Sequence, residues 1–308
     1  MLRIENVSKY YGDYIALDNI SFTIPKGSVF GLLGPNGAGK TSLIRILNQI
    51  ILPDRGKVFL DGEELSHKHI AKIGYLPEER GLYKSMKVGE QAIYLARLKG
   101  LSKAEAKMRL LYWFEKLDIL DWWDKKIQEL SKGMAQKIQF IVTVLHQPKV
   151  LIFDEPFSGF DPVNANLIAK EILELKKQGT TIIFSTHRME SVEMMCDTIV
   201  LLNDSKKILE GTLLELQKRF KSNIFEVGVK TNNEFALHAY LKDFYTAEDG
   251  DFQTMHNDIR INLKLQPNDT SNELLKRISL FGEVTHFLEK IPTMDSIFMQ
   301  AISNERIL

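Results

Sequence analysis

The chain has 308 residues, of which 44% are hydrophobic and 26% are charged. This length and composition predict roughly two folded domains and exclude a disordered chain, a collagen-like repeat and a disulfide-stapled miniprotein. The 40 basic and 40 acidic residues balance to a net charge of zero, so we expect no nucleic-acid partner. Cys196 is the only cysteine, so no disulfide can form within the chain, which is typical of a cytosolic protein.

The apolar runs of the sequence are short. Residues 150–153 and 199–202 fall far below the roughly 18 residues that a membrane-spanning helix needs. The N-terminal residues MLRIENVSKYYGDY lack the apolar centre of a signal peptide. We therefore expect that the chain does not cross a membrane and that it acts at one only through a partner.

Strand-like and helix-like patterns alternate through the N-terminal two thirds of the chain. Residues 29–33, 150–153 and 181–184 are apolar runs typical of buried strands. Apolar residues at helical spacing follow the first run over residues 41–48 and separate the other two over residues 165–175. This alternation predicts an α/β fold with a largely parallel sheet covered by helices.

Two further segments have patterns of their own. Residues 85–147 carry three apolar stripes at helical spacing, which predicts a helical subdomain inserted into the α/β core. After about residue 220 the predicted order is βαββαβ, as in the ferredoxin-like plan, with elements at residues 224–230, 233–244, 252–256, 259–265, 271–280 and 284–291. We therefore divide the chain into a domain of residues 1–218 and a small α+β ferredoxin-like domain of residues 219–308.

A glycine-rich segment after the first buried strand predicts phosphate binding. Gly34-Pro-Asn-Gly-Ala-Gly-Lys-Thr41 fits the pattern G-x-x-x-x-G-K-[ST] between a strand and a helix. Its backbone N–H groups and the helix N-terminus would hold phosphate, Lys40 would reach the β- and γ-phosphates, and the Thr41 hydroxyl would ligate Mg²⁺. The strand and helix on either side disfavour a chance glycine-rich turn. The predicted nucleotide-binding residues here are Gly34, Pro35, Asn36, Gly37, Ala38, Gly39, Lys40, Thr41 and Ser42.

Two adjacent carboxylates end the predicted strand at residues 150–153. Asp154 would hold the Mg²⁺ shell, and Glu155 would orient or deprotonate an attacking water. A solvated strand edge is the alternative for such a pair on its own. The phosphate loop in the same chain favours the catalytic interpretation.

Further motifs resemble those of ABC-type ATPases. Leu130-Ser-Lys-Gly-Met134 resembles the signature motif LSGGQ, and Ser158-Gly-Phe-Asp161 resembles the D-loop. His187 resembles the switch histidine, and Tyr11 resembles the aromatic residue that stacks on adenine. These motifs follow one another in the family's order. The resemblance implies a P-loop NTPase core of the ABC ATPase type that binds and hydrolyses ATP with Mg²⁺.

The resemblance also implies a dimer with ATP between two subunits. Ser131 and Gly133 would contact the γ-phosphate bound to the partner chain, and His187 would contact the γ-phosphate within its own subunit. Asp161 would couple the two sites. Each chain carries one complete set of motifs, so a homodimer is the simpler interpretation and a heterodimer with a similar partner is the alternative.

Two positions depart from the family's pattern. Lys132 and Met134 replace a glycine and the glutamine of LSGGQ, but Ser131 and Gly133 are kept, so we expect function to be retained. The additional charge of Lys132 would favour a polyphosphate. Glu78 stands where the family usually has glutamine. It would ligate Mg²⁺ and couple ATP occupancy to the helical subdomain; a solvated loop acid is the alternative.

Two segments resemble the ABC-2-type exporter branch with sodium-extrusion (NatA-type) subunits. They are YLPEERGLY at residues 75–83 and PTMDSIF at residues 292–298. The resemblance implies efflux of Na⁺ or a drug-like cargo through a separate polytopic membrane (permease) subunit, with this chain peripheral on the cytoplasmic face. The C-terminal domain would serve dimerisation or regulation, or be a structural cap. An importer subunit and a soluble ABC ATPase acting on ribosomes or DNA are the alternatives.

Overall fold

A computed structural model divides the chain into two compact units. The first is Met1–Leu213 with Phe298–Leu308, and the second is Leu214–Ile297. The structure describes residues 1–79, 81–254, 258–266 and 269–305.

Strands and helices are interspersed along the whole chain. The strands are β1 (Leu2–Tyr11), β2 (Tyr14–Ile24), β3 (Val29–Leu33), β4 (Arg55–Leu60), β5 (Glu63–Glu64), β6 (Ile73–Leu76), β7 (Val150–Asp154), β8 (Thr181–Ser185), β9 (Thr198–Asn203), β10 (Lys206–Thr212), β11 (Ile224–Lys230), β12 (Thr246–Asp249), β13 (Ile259–Lys264) and β14 (Glu283–Glu289). The helices are α1 (Lys40–Leu47), α2 (Val88–Leu98), α3 (Lys103–Lys116), α4 (Lys132–Val144), α5 (Pro162–Lys177), α6 (Met189–Met195), α7 (Leu213–Arg219), α8 (Glu234–Phe244), α9 (Ser271–Ile278) and α10 (Met294–Glu305).

The main sheet of the first unit has the strand order β10-β9-β3-β8-β7-β6. Strands β9, β3, β8, β7 and β6 run parallel, and β10 is antiparallel to β9. Every residue of β3, β7 and β8 is buried, which is why their sequences are continuous apolar runs. The predicted parallel sheet is confirmed. Its parallel strands end at one edge, so the segments after β3, β7 and β8 meet there.

A second, antiparallel sheet has the strand order β2-β1-β4-β5. Its apolar side chains join those of the main sheet in one core. Phe22 of β2 and Phe30 of β3, for example, stack with ring centroids 5.2 Å apart. Helices α2, α3 and α4 lie between β6 and β7 in the chain, and Trp113 of α3 packs edge-on against Phe140 of α4.

The second unit contains the order β11-α8-β12-β13-α9-β14. Its four strands form an antiparallel sheet in the order β12-β13-β11-β14. A core of its own includes Val227, Leu237, Leu263 and Leu274, all fully buried. The predicted βαββαβ ferredoxin-like plan is confirmed.

One strand of this unit was placed wrongly by the sequence pattern. On the side of β13 away from β11, the antiparallel partner is Thr246–Asp249, whereas the predicted strand began at Phe252. Phe252 lies outside any strand, and its ring stacks on His286 of β14 with centroids 4.6 Å apart. Residues 253, 254 and 258 also lie outside any strand, and residues 255–257 of that predicted strand and its turn lie outside the described residues. Strand β12 was missed because it is a short edge strand whose residues are mostly exposed.

Within the part of the chain that the structure describes, no helix is long and apolar enough to span a membrane.

Candidate functional site

The glycine-rich segment forms a tight loop between β3 and α1. Gly39, directly before α1, has φ of 104°, a left-handed conformation that favours glycine. The amide of Ala38 donates to the carbonyl of Pro35 at 3.2 Å, which closes the loop on itself. Helix α1 begins at Lys40, so the N–H groups of its first turn lack helical partners at the loop. This arrangement is suited to binding an anion.

A cavity of about 370 Å³ opens beside this loop. It brings the phosphate loop together with residues that follow β6, β7 and β8. Its lining consists of Tyr14, Asn36, Gly37, Gly39, Lys40, Thr41, Ser42, Glu78, Asp154, Glu155 and His187. The predicted Mg²⁺ ligands and catalytic residues of one subunit therefore lie at one cavity with most of the residues predicted to bind phosphate; Gly34, Pro35 and Ala38 of the loop are not among its lining residues.

The ammonium group of Lys40 is folded onto the loop. Its Nζ donates to the carbonyl of Gly34 at 2.6 Å and to that of Pro35 at 2.9 Å. Burial lowers the pKa of Lys40 from its ordinary value, and the carboxylates of Glu155 and Asp154 act in the opposite direction. A partly buried ammonium with neutral carbonyl partners gains stability when a phosphate oxygen accepts its hydrogen bonds.

The carboxylate of Glu155 is held from both sides. Oε1 accepts a hydrogen bond from the His187 amide at 2.8 Å and lies 2.6 Å from His187 Nδ1. Oε2 accepts from the Thr186 hydroxyl at 3.0 Å. The side chain of Glu155 is 12% exposed and that of His187 is 68% exposed. Glu155 is thus a fixed carboxylate at the cavity wall, in a position suited to a general base.

Negative charge is concentrated opposite Lys40. Burial raises the pKa of Asp154 above its usual range, and Glu78 and Glu155 raise it further. These carboxylates and the Thr41 hydroxyl are hard oxygen ligands of the kind that Mg²⁺ prefers. Among the described residues, no group of three His, Cys, Asp or Glu side chains could hold a metal ion. The donor set therefore fits Mg²⁺ when substrate phosphates complete its shell.

The signature-like motif and the D-loop-like motif begin two helices. The Ser131 hydroxyl caps α4 by accepting from the Met134 amide at 3.2 Å, and Gly133 lies in the first turn. Asp161 caps α5 by accepting from the Asn164 amide at 3.0 Å, and hydrogen bonds from Asn164 lower its pKa. Ser131, Gly133 and Asp161 are not among the residues that line the cavity.

Comparison with known proteins assigns the family. The family profile described as ABC transporter matches residues 17–158, and the one described as ATP-binding protein DrrA1-3-like, C-terminal domain, matches residues 211–302. The uncharacterized ABC transporter ATP-binding protein YhaQ of Bacillus subtilis (strain 168) is 40% identical over 303 residues, which cover 98% of each chain. The chain belongs to the ABC transporter ATP-binding proteins.

Other relatives of this ABC ATPase cover less of its length. Linearmycin resistance ATP-binding protein LnrL of the same organism is 35% identical over 243 residues, 78% of each chain. ABC transporter ATP-binding protein NatA, also from B. subtilis, is 34% identical over 211 residues, 67% of this chain and 86% of NatA. The predicted resemblance to ABC-type ATPases is confirmed.

Solved structures agree with the fold. The structure of an ATP binding subunit of an ABC transporter, 29% identical, has a TM-score of 0.67 over 71% of this chain and 93% of its own. The dimeric structure of the bacterial ABC transporter cassette MJ0796, 23% identical, has a TM-score of 0.63 over 69% of this chain and 99% of its own. The chain is therefore an ABC-type ATPase, the ATP-binding subunit of a transporter.

A different tyrosine from the predicted one lines the cavity of this ABC ATPase. Tyr11 is not among the lining residues; it is exposed, and Lys9 Nζ lies 5.7 Å from the centre of its ring. Tyr14, its cross-strand neighbour, lines the cavity and donates its hydroxyl to the carbonyl of Gly37 at 3.0 Å. Stacking of Tyr11 on adenine stays a prediction. Nothing in the sequence pattern separates the two tyrosines, because both flank one tight turn.

Thr186 is a further site residue, which the sequence pattern did not reveal. It is 2% exposed. Its hydroxyl donates to Glu155, as described, and accepts from the Arg188 amide at 3.1 Å. The residue lies between Ser185 and His187, so its adjacency to the switch histidine was the one signal that pointed to it.

Proposed function

We propose that this protein is the ATP-hydrolysing subunit of a bacterial exporter and acts with a separate polytopic membrane subunit. ABC transporter ATP-binding subunits work with membrane components and form dimers. The similarity to YhaQ includes the C-terminal domain, and LnrL is by name a resistance protein. The name of LnrL favours export over import. We propose Na⁺ or a drug-like molecule as the cargo. The subunit would lie on the cytoplasmic face of the membrane.

The geometry of Glu155 carries the ATP-hydrolysing part of this proposal. A carboxylate that accepts hydrogen bonds from both Thr186 and His187 has a defined orientation at the phosphate-loop cavity. In the proposed reaction Glu155 orients and deprotonates the attacking water, while Lys40 and the loop amides bind the phosphates. His187 binds the γ-phosphate from within the subunit. Ser131 and Gly133 of a second copy bind it from the other side, and Asp161 couples the two sites.

Thr41 and Asp154 would hold Mg²⁺, which would neutralise charge on the phosphates. Glu78 lines the same cavity and lies close enough to raise the pKa of Asp154, so we assign it to the same shell. We expect Glu78→Gln to bind Mg²⁺ more weakly. The Mg²⁺ concentration that gives the half-maximal rate of ATP hydrolysis should therefore rise. An unchanged value, together with unchanged stimulation by the membrane subunit, would make Glu78 a solvated loop acid.

The role of Glu155 is tested by Glu155→Gln. This variant keeps the size of the side chain but removes the base, so we expect it to bind ATP, lose hydrolysis by about 100-fold or more and accumulate as an ATP-dependent dimer. Phosphate release and size-exclusion chromatography measure these effects. Glu115→Gln, at an exposed position on α3, is the matched control. Near-normal hydrolysis in Glu155→Gln would refute the assigned role.

The transport role is tested separately by affinity purification of the chain from its native membranes in mild detergent. We expect a polytopic membrane protein to copurify, and the ATPase activity of that complex can then be measured with Na⁺ and candidate drugs. Recovery of ribosomal or DNA-associated proteins with no membrane protein would refute the exporter assignment and leave the ATPase assignment intact.

A further inference from the structure

The segment between Glu155 and Asp161 joins two residues with proposed roles in the reaction. Within it the amide of Ser158 donates to the carbonyl of Glu155 at 3.0 Å, and the amide of Phe160 donates to that of Phe157 at 3.2 Å. Its two ends are anchored, because Glu155 follows β7 and Asp161 caps α5. We call residues 156–160 the connecting loop.

The first turns of α4 hold this connecting loop at two points. Gln136, which is 2% exposed, donates from Nε2 to the carbonyl of Pro156 at 3.3 Å. The stem of Lys132 lies across Gly159: a methyl group placed on Gly159 would lie 2.5 Å from Cε, 2.9 Å from Cδ and 3.0 Å from Cγ of Lys132. Three carbons of the lysine thus occupy the space that a side chain at residue 159 would need.

The contact depends on glycine at residue 159 for two reasons. Gly159 has φ of 88°, which favours glycine, and its missing Cβ leaves room for the lysine stem. Gly133 approaches the same point, since a methyl group on it would lie 3.6 Å from the Gly159 carbonyl oxygen. The backbone of the connecting loop therefore packs directly on the turn that carries Ser131 and Gly133.

The charge of Lys132 has no part in this contact. Among the described residues, the Lys132 ammonium takes part in no ion pair and no hydrogen bond, and the residue is exposed. A lysine can cover a surface with its methylene groups while its ammonium stays in water. The hydrocarbon stem, rather than the charge, makes the interaction with Gly159.

We propose that Lys132 is a positioning residue whose stem clamps Gly159, so that the connecting loop and the first turn of α4 move as one body. Glu155 at one end of the loop and Ser131 in the turn would then keep a fixed separation when ATP is bound between two subunits. This proposal rests on the roles assigned to Glu155 and Ser131 above. It differs from an electrostatic role of Lys132 toward the phosphates, which the sequence alone favoured.

Two substitutions separate the stem from the charge. Lys132→Ala removes both, and we expect kcat for ATP hydrolysis to fall roughly tenfold with KM for ATP nearly unchanged, because a misplaced group slows the chemical step. Lys132→Met keeps a long stem without charge, and we expect it to retain kcat within about twofold of wild type. If Lys132→Met loses as much kcat as Lys132→Ala, the charge carries the effect and the proposal is wrong.

A second measurement tests the clamp without hydrolysis. Amide hydrogen exchange of the ATP-free full chain reports the Ser158 and Phe160 amides, which the loop hydrogen bonds protect. We expect faster exchange of both amides in Lys132→Ala and wild-type exchange in Lys132→Met. Unchanged exchange in Lys132→Ala would overturn the clamp. If Glu155→Gln still hydrolysed ATP, the role proposed for Glu155 would be wrong, but the expected exchange result would not change. Failure of the proposed function and failure of the clamp are therefore distinguishable.

A double-mutant cycle with Gly159→Ala completes the test. The added methyl group meets the lysine stem in wild type but not in Lys132→Ala, whereas the strain from the left-handed backbone is the same in both. We therefore expect Gly159→Ala to lower kcat by a smaller factor in the Lys132→Ala background. Equal factors in the two backgrounds would show that residues 132 and 159 are not coupled and would overturn the proposal.

Discussion

Thr186→Val tests whether the orientation of Glu155 governs the rate of ATP hydrolysis. The Thr186 hydroxyl donates to Glu155 Oε2 at 3.0 Å and accepts from the Arg188 amide at 3.1 Å. Valine has the same branching and nearly the same volume, so the buried site keeps its packing. A hydrogen bond to a charged acceptor contributes about 1.5–3 kcal/mol, and the substitution removes this contribution.

The expected effect on the rate follows from this energy. If the full hydrogen bond is needed in the transition state, kcat falls by about 10- to 150-fold, since each 1.4 kcal/mol corresponds to a factor of about ten. KM for ATP should change little, because Thr186 is not among the residues that line the cavity.

The assay is steady-state phosphate release at saturating Mg²⁺-ATP, with a thermal melt of each variant to monitor folding. Thr186→Ser is the matched control because it keeps the hydroxyl, and we expect its kcat within about threefold of wild type. A kcat of Thr186→Val close to that of wild type would refute the reasoning. Equal losses of kcat in Thr186→Val and Thr186→Ser, when the two variants have the same thermal stability, would refute it too.

Three further predictions concern stability in urea. A methyl group on Gly74 of β6 would lie 2.5 Å from a backbone oxygen of α4, so Gly74→Ala should lower the free energy of unfolding by about 1–3 kcal/mol. Gly81→Ala is the control, because no atom lies within 4 Å of its added methyl group, and it should leave the free energy of unfolding unchanged. Burial lowers the pKa of His146 to about 4. As the pH falls, His146 is therefore protonated in the unfolded chain before it is protonated in the folded one, and the free energy of unfolding should fall by roughly 3 kcal/mol from about pH 6.5 to about pH 4. His146→Gln should abolish this loss. Leu263→Ala should lower the free energy of unfolding of the second unit by about 3 kcal/mol, because Leu263 is fully buried. Lys264→Ala on the same strand serves as the control. Equal urea-unfolding midpoints for Gly74→Ala and Gly81→Ala, or for Leu263→Ala and Lys264→Ala, would contradict the prediction for that pair. The prediction for His146 would be contradicted if His146→Gln kept the pH dependence of the wild type.

Much of the fold was predictable because the elements are local patterns. Strand β11 was predicted with its observed bounds, Ile224–Lys230, since its apolar and polar residues alternate with the faces of the sheet. Strand β12 was not, because an edge strand buries little and its pairing depends on where β13 lies. Phe252 packs against the ring of His286 from outside the sheet. The sequence pattern cannot distinguish an apolar residue of this kind from one that packs within a strand.

The sequence by itself determined the phosphate loop and the acidic end of β7. Both depend on residues adjacent in the chain, and the parallel sheet then brings strand ends to one edge. Only the tertiary structure decided that Thr186 holds Glu155, that Tyr14 lines the cavity and that Lys132 lies across Gly159. The physical reason is that each of these contacts joins residues that are distant in the chain and lie within a few ångströms of each other in the fold. Such distances are set by the packing of whole helices and strands and by side-chain rotamers, neither of which a local pattern specifies.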